Sequence, residues 1–433
     1  GTYMRSVGFG QPGPWWIHIN HGFNVKPRLA KYVRSQGVKV VNHVLVTNLL
    51  KDGDRIAGCI GFDVLKGDLI VVRCKTAVLG FGLTAQRVSN NSTHKPFNQW
   101  FSPYVTGSQV ILPLEAGAGV LNVDITDMAT MLPKGWGAPG MNGINNMGGK
   151  ELNARGERFM GKYDPMLENG LRRNQVMGTY QEELEGNGPP FFMDMTHFEP
   201  EDARHLQYDL MPGDKETYLE YCEARKIDFT KTPLEVEISE RMIGGIVKCT
   251  DEQETEVRNL YTASLCNNFS AAMCMGWTAG EFAAARAAGT DMPALPEAEI
   301  AALAKDIFAP LTERPARSIG YTEFEDGIRQ VMDYYVGYQR TEGSMKQALK
   351  SFAVLEEYLP RLGASTLREL MRVRESMELF KLCRIYIQAC MQRRESGRAM
   401  YRRADYPDLD PALEKCLVTR LDESGNPVFQ WNS

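Results

Sequence analysis

Three long segments in the last third of the sequence carry apolar residues at helical spacing. They span residues 324–341, 344–359 and 366–396, and in each of them apolar side chains recur at positions i, i+3 and i+4. Amphipathic helices of this length bury their apolar faces against one another, so the pattern predicts a helical bundle. A chain of 433 residues is too long for a single core, and we expect the bundle to be one of two or three domains.

The first part of the sequence has a different pattern. Residues 27–36 predict a short amphipathic helix that ends at Gly37. Residues 38–80 contain apolar or alternating runs separated by polar turns, which is typical of β-strands, and the last two runs predict a hairpin. The chain is therefore expected to be of the α/β class, α+β overall.

Composition excludes several kinds of function. The net charge of -5, without a basic arm, argues against a nucleic-acid partner. No apolar run approaches the roughly 20 residues that span a bilayer, and no signal peptide is recognisable, so we expect no direct membrane insertion. The nine cysteines include no CxxC pair, which argues against a zinc or iron–sulfur site in this chain; no metal site is predicted. Unpaired cysteines favour a cytoplasmic protein.

The most distinctive chemistry lies in residues 150–177. A Gly-Glu-Arg-Phe-Met motif begins at Gly156, and Leu171-Arg172-Arg173 follows it. Residues 175–184 favour helix, which places both arginines at or near the first turn. A guanidinium is a planar fork of donors that matches a carboxylate or a phosphate-like anion. Arg172 and Arg173 are thus candidates for binding a small anionic substrate, and a structural ion pair is the alternative.

These motifs resemble the flavoprotein subunits of fumarate reductase and succinate dehydrogenase and, most closely, those of adenylylsulfate reductase. The resemblance implies a partial Rossmann-type FAD-binding domain, an α+β capping domain and a C-terminal helical bundle. The motifs that carry it are NARGERFM (153–160), LRRNQVM (171–177), GNGPPFFMDM (186–195), Glu395-Ser396-Gly397-Arg398 and Arg403-Ala404-Asp405-Tyr406-Pro407. The expected domains are an incomplete FAD-binding type domain over 1–125 and 232–290, a capping domain over 126–231 and a helical domain over 291–433.

The resemblance also implies roles for residues of the capping region. An arginine at the position matched by Arg172 faces the substrate in the family, and Arg173 is an alternative one residue away. Glu240 and Arg241 stand close to where the family has a substrate-binding histidine, and they are candidates for contact with an anion or a proton, with an ion pair between the two as the alternative. Trp136 is a candidate for stacking on a flat ligand, with a buried loop anchor as the alternative.

A further group of residues matches the segments that surround FAD in the family. An Ala-rich helix expected to begin near Gly276 offers the N–H groups of its first turn to an anion or to the flavin ring. The candidate cofactor-binding residues are Gly80, Gly82, Gly107, Gly244, Gly245, Ser264, Gly276 and Thr278.

Several of these segments depart from the family pattern. Gly80-Phe81-Gly82-Leu83 replaces a Gly-Gly pair, Ser108-Gln109 replaces Asp-Gly, and Ser264-Leu265 replaces a glycine followed by an acid. No G-x-G-x-x-G follows a predicted strand and opens a helix, and the family's N-terminal FAD half has no counterpart in the sequence.

Two functions follow. The first is an FAD-dependent oxidoreductase that passes electrons between flavin and a small anionic substrate. Its electrons would be exchanged with a separate iron–sulfur or haem subunit, because this chain has no cluster ligands. The alternative is a non-catalytic, flavin-free paralogous subunit that serves as a scaffold for an intact flavoprotein paralogue or an iron–sulfur partner.

Overall fold

A computed structural model of the chain describes residues 5–8, 11–17, 24–82, 84–99, 101–127, 131–138, 141–210, 216–263 and 269–432. Contacts divide the chain into two compact units. Unit 1 comprises Gly1–Val40, Asn90–Ser102 and Met128–Arg241, and unit 2 comprises Val41–Ser89, Pro103–Asp127 and Met242–Ser433. The units differ from the three domains expected from the sequence, whose boundaries stay a prediction.

The strands, in chain order, are β1 (Arg5–Gly8), β2 (Gln11–Ile17), β3 (Val44–Asp52), β4 (Arg55–Asp63), β5 (Leu69–Arg73), β6 (Ala77–Leu79), β7 (Val120–Leu121), β8 (Thr126–Asp127), β9 (Met131–Pro133), β10 (Lys150–Leu152), β11 (Phe191–Asp194), β12 (Leu234–Ile238), β13 (Met242–Ile243), β14 (Ile246–Val247), β15 (Leu260–Thr262), β16 (Gln339–Arg340), β17 (Arg402–Arg403), β18 (Leu417–Leu421) and β19 (Pro427–Trp431). The helices are α1 (Val25–Ser35), α2 (Ser108–Ala116), α3 (Asn142–Asn146), α4 (Arg172–Leu184), α5 (Pro200–His205), α6 (Glu216–Arg225), α7 (Phe269–Ala288), α8 (Glu297–Thr312), α9 (Tyr321–Tyr335), α10 (Glu342–Glu356) and α11 (Leu367–Gln392).

Unit 1 is built on an antiparallel sheet with the strand order β10-β11-β12-β9. Alternate residues of β11 and β12 point into its core, as the two-residue period of a strand requires. Phe191 and Met193 of β11 are buried there with Leu234 and Val236 of β12. Phe159 of the Gly-Glu-Arg-Phe-Met motif joins the same cluster, so the motif's aromatic residue serves packing.

The predicted strands of residues 38–80 are confirmed in unit 2. β3, β4 and β5 form an antiparallel sheet in chain order, and the chain reverses between β3 and β4 at Gly53, where φ is +65°. Two glycines of the central strand are required by close backbone approach. A Cβ at Gly58 would lie 1.9 Å from the carbonyl oxygen of Val72, and one at Gly61 would lie 1.9 Å from that of Leu45.

β6 and β15 pair in parallel, with Leu79 opposite Thr262, so their carboxyl ends lie side by side. Helix α7 covers them through Ala279 and Ala283, which pack against Tyr261 of β15. Unit 2 thus contains a short parallel pair with a helix against it, which is the local arrangement of a Rossmann-type domain.

The predicted helical bundle is confirmed in α9, α10 and α11. Its centre is aromatic: the Phe380 ring lies 5.8 Å from that of Phe324 and 5.3 Å from that of Phe352. Each of the last two helices begins at a threonine cap, because Thr341 accepts a hydrogen bond from Ser344 N at 3.0 Å and Thr366 accepts one from Glu369 N at 3.2 Å. In the described residues, no helix is long and apolar enough to cross a bilayer.

The expectation of a helical part that extends to residue 433 needs a correction. The chain after α11 returns to strand structure, and the hairpin β18–β19 joins the sheet of order β14-β7-β18-β19. Leu417 and Thr419 are fully buried in this sheet. Apolar and polar residues alternate over only five positions in β18, which is too short a run to predict a strand beside the long helical patterns. The Asp422–Asn426 turn closes the hairpin.

Candidate substrate and cofactor sites

The two arginines begin helix α4, which confirms their predicted place at its first turn. Asp164 fixes the chain where it enters this helix: its carboxylate accepts hydrogen bonds from Leu171 N at 3.0 Å and from Asn174 Nδ2 at 2.8 Å. Arg172 and Arg173 are both half-buried, and Arg173 Nε donates to Asn174 Oδ1 at 3.4 Å. The backbone that carries both guanidinium groups is therefore held in a defined position.

The electrostatics at the start of α4 favour an anion. The first backbone N–H groups of a helix point outward and carry a partial positive charge. The first turn of α4, which the structure describes in full, contains no acidic residue and adds the formal charges of Arg172 and Arg173. A small anion is thus the ligand that this end of the helix best accommodates.

The arginine of the Gly-Glu-Arg-Phe-Met motif has a structural role. Arg158 makes a bidentate ion pair with Glu168, at 2.9 Å from Nε and 2.6 Å from Nη2. Glu168 also accepts a hydrogen bond from the backbone N–H of Glu151 at 3.0 Å, and Gln175 of α4 donates to the carbonyl oxygen of Glu168. The motif therefore ties β10 to the turn that precedes α4.

Glu240 and Arg241 follow strand β12 and are both buried, at 5% and 8% exposure. The Glu240 carboxylate accepts a hydrogen bond from Asn91 Nδ2 at 2.8 Å, and burial raises the pKa of this carboxyl above its usual value. Trp136 lies edge-to-face against Tyr221, with ring centroids 5.7 Å apart. This packing favours the loop-anchor interpretation of Trp136.

The glycines after β6 leave their backbone accessible. Among the described residues, which leave out 83 and 264–268, a Cβ at Gly80 would meet no atom within 4 Å, and one at Gly82, where φ is +93°, would meet Val105 alone, at 3.7 Å. Ligands of open α/β sheets bind just beyond the carboxyl ends of parallel strands, and this is where both glycines stand. The residues present therefore fit the close approach of a flat dinucleotide. Ser264, which follows β15, lies outside the described residues.

Gly107 and Gly245 have a steric reason to be glycine as well. Gly107 precedes α2 with φ of +116°, and a Cβ there would lie 2.9 Å from Leu382 of α11. At Gly245 it would lie 2.9 Å from a side-chain carbon of Val110. Gly244 is buried beside it. The space next to Gly107 and Gly245 is filled by the chain itself, which leaves only their backbone groups to face a ligand.

The prediction of a helix beginning near Gly276 was wrong. Helix α7 is already formed at Phe269, so Gly276 and Thr278 lie in its interior. The N–H groups there bond to carbonyls four residues earlier and are not available to an anion. Thr278 Oγ1 itself donates to the carbonyl oxygen of Cys274 at 3.1 Å. The Ala- and Met-rich residues 271–275 are good helix formers and extend the helix toward its N-terminus.

The C-terminal signature residues form buried ion pairs within unit 2. Glu395 accepts hydrogen bonds from Arg393 Nη1 and Arg398 Nε, each at 2.9 Å, and Arg393 also pairs with Asp124. Arg403 is bidentate to Asp405, at 2.8 and 2.9 Å. The motif thus holds the chain end against α11.

One carboxyl group near the predicted cofactor residues escaped the sequence analysis. Glu378 of α11 accepts a hydrogen bond from Thr106 Oγ1 at 2.9 Å and two from Ser108 Oγ, at 2.9 and 3.1 Å. Helical periodicity indicates which face of α11 is buried, but it carries no information about a partner some 270 residues earlier. No local signal would have found this contact.

Unit 2 also has a cavity of about 590 Å³ that holds none of the predicted site residues. Its rim carries two ion pairs, Lys381 with Glu115 at 2.5 Å and Arg384 with Glu356 at 2.8 Å. Within the described ranges, no cluster of three or more His, Cys, Asp or Glu side chains forms a metal site.

A parallel strand pair ending in open glycines, an α+β unit with paired arginines at a helix start, and a helical bundle define the class of flavin-dependent oxidoreductases that carry a capping domain. Residues 9–301 match the family described as FAD binding domain, and residues 325–431 match the fumarate reductase flavoprotein C-terminal family. The first match covers more than half of the sequence, and the chain accordingly belongs to the FAD binding domain family, whose members are flavoprotein oxidoreductases.

Individual relatives are distant but similar along most of their length. A component of the fumarate reductase (CoM/CoB) of Methanothermobacter marburgensis is 22% identical, over 94% of this chain and 75% of its own. The fumarate reductase flavoprotein subunit of Haemophilus influenzae is also 22% identical, over 96% and 74%. The adenylylsulfate reductase structure from Archaeoglobus fulgidus superposes with a TM-score of 0.82 at 21% identity, covering 98% of this chain and 79% of that one. The fold is therefore the fold of these proteins.

Proposed function

We propose that this chain binds FAD and passes electrons between the flavin and a small anionic substrate. The observation that carries the substrate part is the position of Arg172 and Arg173 in the first turn of α4, where two positively charged side chains add to the partial positive charge of the helix N-terminus. The open backbone at Gly80 and Gly82, beyond the parallel strands β6 and β15, supports the cofactor part.

The residues proposed to hold FAD are Gly80 and Gly82 through close backbone approach, and Ser264, outside the described residues, stays a candidate from the sequence. Gly107, Gly244 and Gly245 contribute backbone groups only, because side-chain space beside Gly107 and Gly245 is occupied by the chain. The flavin, when bound, supplies the hydride or electron-pair chemistry, and the protein supplies binding and orientation.

The capping residues orient the substrate and manage its charge. Arg172, with Arg173 as its neighbour, binds the anionic end and stabilises negative charge that develops during reduction. Glu240 is the proposed proton-holding group, because its burial raises its pKa and Asn91 fixes its orientation. Arg241 is proposed to support the anion beside it, and Trp136 is assigned to anchoring its loop.

The electron partner is proposed to be a separate iron–sulfur or haem subunit, or an intact flavoprotein paralogue. The relative from Methanothermobacter marburgensis is one component of a larger fumarate reductase, which supports a hetero-oligomer here as well. The lack of any CxxC pair among the cysteines supports an external source of electrons.

Alanine substitution of the arginines tests the substrate assignment. Arg172→Ala, Arg173→Ala and the double variant are assayed with an artificial electron donor against small dicarboxylates and sulfur oxyanions. The double variant is expected to lose activity by a factor on the order of 100 to 1000, as when a group that stabilises developing charge is removed. Bound-flavin absorbance should not change. Arg155→Ala, in an exposed turn of the same segment, is the matched control.

The outcomes separate the candidate functions. A double variant with undiminished turnover would remove Arg172 and Arg173 from the site. A purified wild-type protein with no flavin absorbance near ~450 nm, which co-purifies with another flavoprotein, would replace the enzyme by the flavin-free scaffold.

A further inference from the structure

Helix α11 contacts the loop that precedes α2 through two residues one helical turn apart. Glu378 accepts hydrogen bonds from the hydroxyls of Thr106 and Ser108, and Leu382 lies 2.9 Å from where a Cβ of Gly107 would be. Gly107, between the two hydroxyl residues, has φ of +116° and begins the helix. Glu378 and Leu382 together therefore determine the backbone path of this loop.

From this contact we propose that Glu378 is a positioning residue of the cofactor site: its carboxyl group, which reaches the loop from α11, holds Thr106 and Ser108 and so presents the backbone of Gly107 to FAD. The inference rests on the proposed function, because it takes Gly107 as part of the FAD site. Glu378 itself does not need to touch the cofactor.

The chemistry of the contact makes it sensitive to protonation. A charged carboxylate only accepts hydrogen bonds, whereas a protonated one accepts from one hydroxyl and donates to the other. Burial, helped by the charges of Glu375 and Glu115, raises the pKa of Glu378 to about 7, although the hydrogen bonds from Ser108 and Thr106 lower it. The neighbouring charges are themselves paired: Glu375 binds Arg87 and Arg372, and Glu115 binds Lys381.

The sign of the effect follows from linkage. With the loop held, Glu378 has a raised pKa, and with the loop released into water its pKa falls toward that of an ordinary glutamate. The held loop therefore binds the proton more tightly, so the hold is strongest below pH ~4.5, weakens as the pH rises from ~4.5 to ~7, and does not change further above ~7. Because glutamine is neutral at every pH, Glu378→Gln should keep the loop held without any dependence on pH.

The first measurement is the affinity for FAD, determined from flavin fluorescence at pH values between 5.5 and 8.5. The wild type is expected to bind FAD more weakly as the pH rises from 5.5 to ~7, by up to tenfold per pH unit if one proton is linked, and to keep a constant affinity above ~7. Glu378→Gln should give a flat profile at the affinity of the acidic wild type, and Glu378→Leu should bind weakly throughout. Glu356→Gln, at a carboxylate that pairs with Arg384 of α11, should follow the wild type.

The second measurement does not depend on FAD. Hydrogen exchange of the backbone amides of residues 105–110, corrected for intrinsic rates, should show wild-type protection falling by about fivefold from pH 6 to 8.5, the worth of one hydrogen bond. In Glu378→Gln, the protection of the same amides should not change with pH. If no variant binds FAD but the exchange follows this pattern, the proposed function fails while the positioning of the loop stands. If Glu378→Leu has the wild-type affinity and the wild-type exchange profile, the role of Glu378 is overturned.

Discussion

Two fully buried glutamates of unit 1 have opposite charge preferences. Glu182 and Glu151 are both 0% exposed. Burial opposes the charge of Glu182, but hydrogen bonds from Lys162, Asn153 and other donors lower its pKa to about 2. Glu151 has only a 3.4 Å hydrogen bond from Asn145 to set against its burial and the charge of Glu168, and its pKa rises to about 8. The number of hydrogen-bond donors around the carboxyl group, more than its burial, decides whether it stays charged.

Glu151→Gln should remove a pH dependence of stability. The native pKa of about 8 lies above the unfolded value near 4.5, so the native state binds the proton more tightly and the wild type loses stability as the pH rises from ~4.5 to ~8. We expect the variant to exceed the wild type at pH 8.5 by on the order of 2 kcal/mol and to equal it near pH 5. Urea unfolding at both pH values measures this, and a wild type more stable at pH 8.5 than at pH 5 would contradict it.

At the scale of single residues, the sequence predicted positions better than partners. The place of Arg172 and Arg173 at a helix start followed from the helix propensity of the residues after them, which is local information. The partners of Glu378 did not, because Thr106 and Ser108 lie on a different part of the chain and neither residue type is unusual there. Hydrogen bonds across such separations are set by tertiary packing.

Among the elements, the junction of α2 with α11 depends on one glycine. Gly107 has a left-handed backbone conformation and also lacks room for a side chain. A Cβ at this position would lie 2.9 Å from Leu382 Cδ2. Either cause alone would favour glycine. Because a mutation of Leu382 removes the overlap and leaves the backbone strain, the two causes can be measured separately.

Gly107→Ala should destabilise the protein by about 1 kcal/mol from backbone strain and by about 1–3 kcal/mol more from overlap with Leu382. In a Leu382→Ala background the overlap disappears, so the same substitution should cost only the strain. Thermal or urea unfolding of the four proteins gives the coupling energy. Equal costs in both backgrounds would mean that Leu382 does not limit residue 107.

Sequence patterns predicted the type of the long elements correctly. They failed to predict a short strand and the point at which a long helix begins. The bundle helices were predicted because their apolar periodicity runs over several turns. The start of α7 was misplaced because Gly276 resembles a boundary residue, although a helix tolerates an interior glycine at a cost of about 1 kcal/mol. β18 was missed because a strand of five residues has too few repeats to identify its period.

On the scale of the whole chain, the two units are assembled from interleaved segments. The sequence crosses between them at residues 40/41, 89/90, 102/103, 127/128 and 241/242. These crossings are not marked by Pro-, Gly- or Ser-rich linkers, which is why composition could not locate them. The resemblance to a family predicted a single interruption, a domain over 126–231 inserted into an FAD-binding type domain, and its boundaries stay a prediction.

FAD should stabilise the folded protein by mass action if it binds as proposed. At a free concentration near 100 times Kd the gain is about 2.7 kcal/mol, which raises Tm by on the order of 5 °C for a unit of roughly 200 residues. Differential scanning fluorimetry with and without FAD measures the shift.

Gly80→Leu is the matched control for that experiment. No atom of the part of the chain that the structure describes lies within 4 Å of a Cβ at Gly80, so the variant should fold and melt like the wild type without FAD. Its side chain would occupy the space proposed for the cofactor, and the shift on adding FAD should disappear. A shift that persists in Gly80→Leu would place the cofactor elsewhere.

The hairpin β18–β19 has a consequence for how the protein is made. β18 lies between β7 and β19, so the sheet that contains β7 and β14 gains its third and fourth strands only from residues 417–431. A ribosome releases β7 and β14 long before it reaches those codons. Until then the free edge of β7 remains open to pairing with other chains, and unit 2 cannot reach its native sheet during synthesis of the preceding residues.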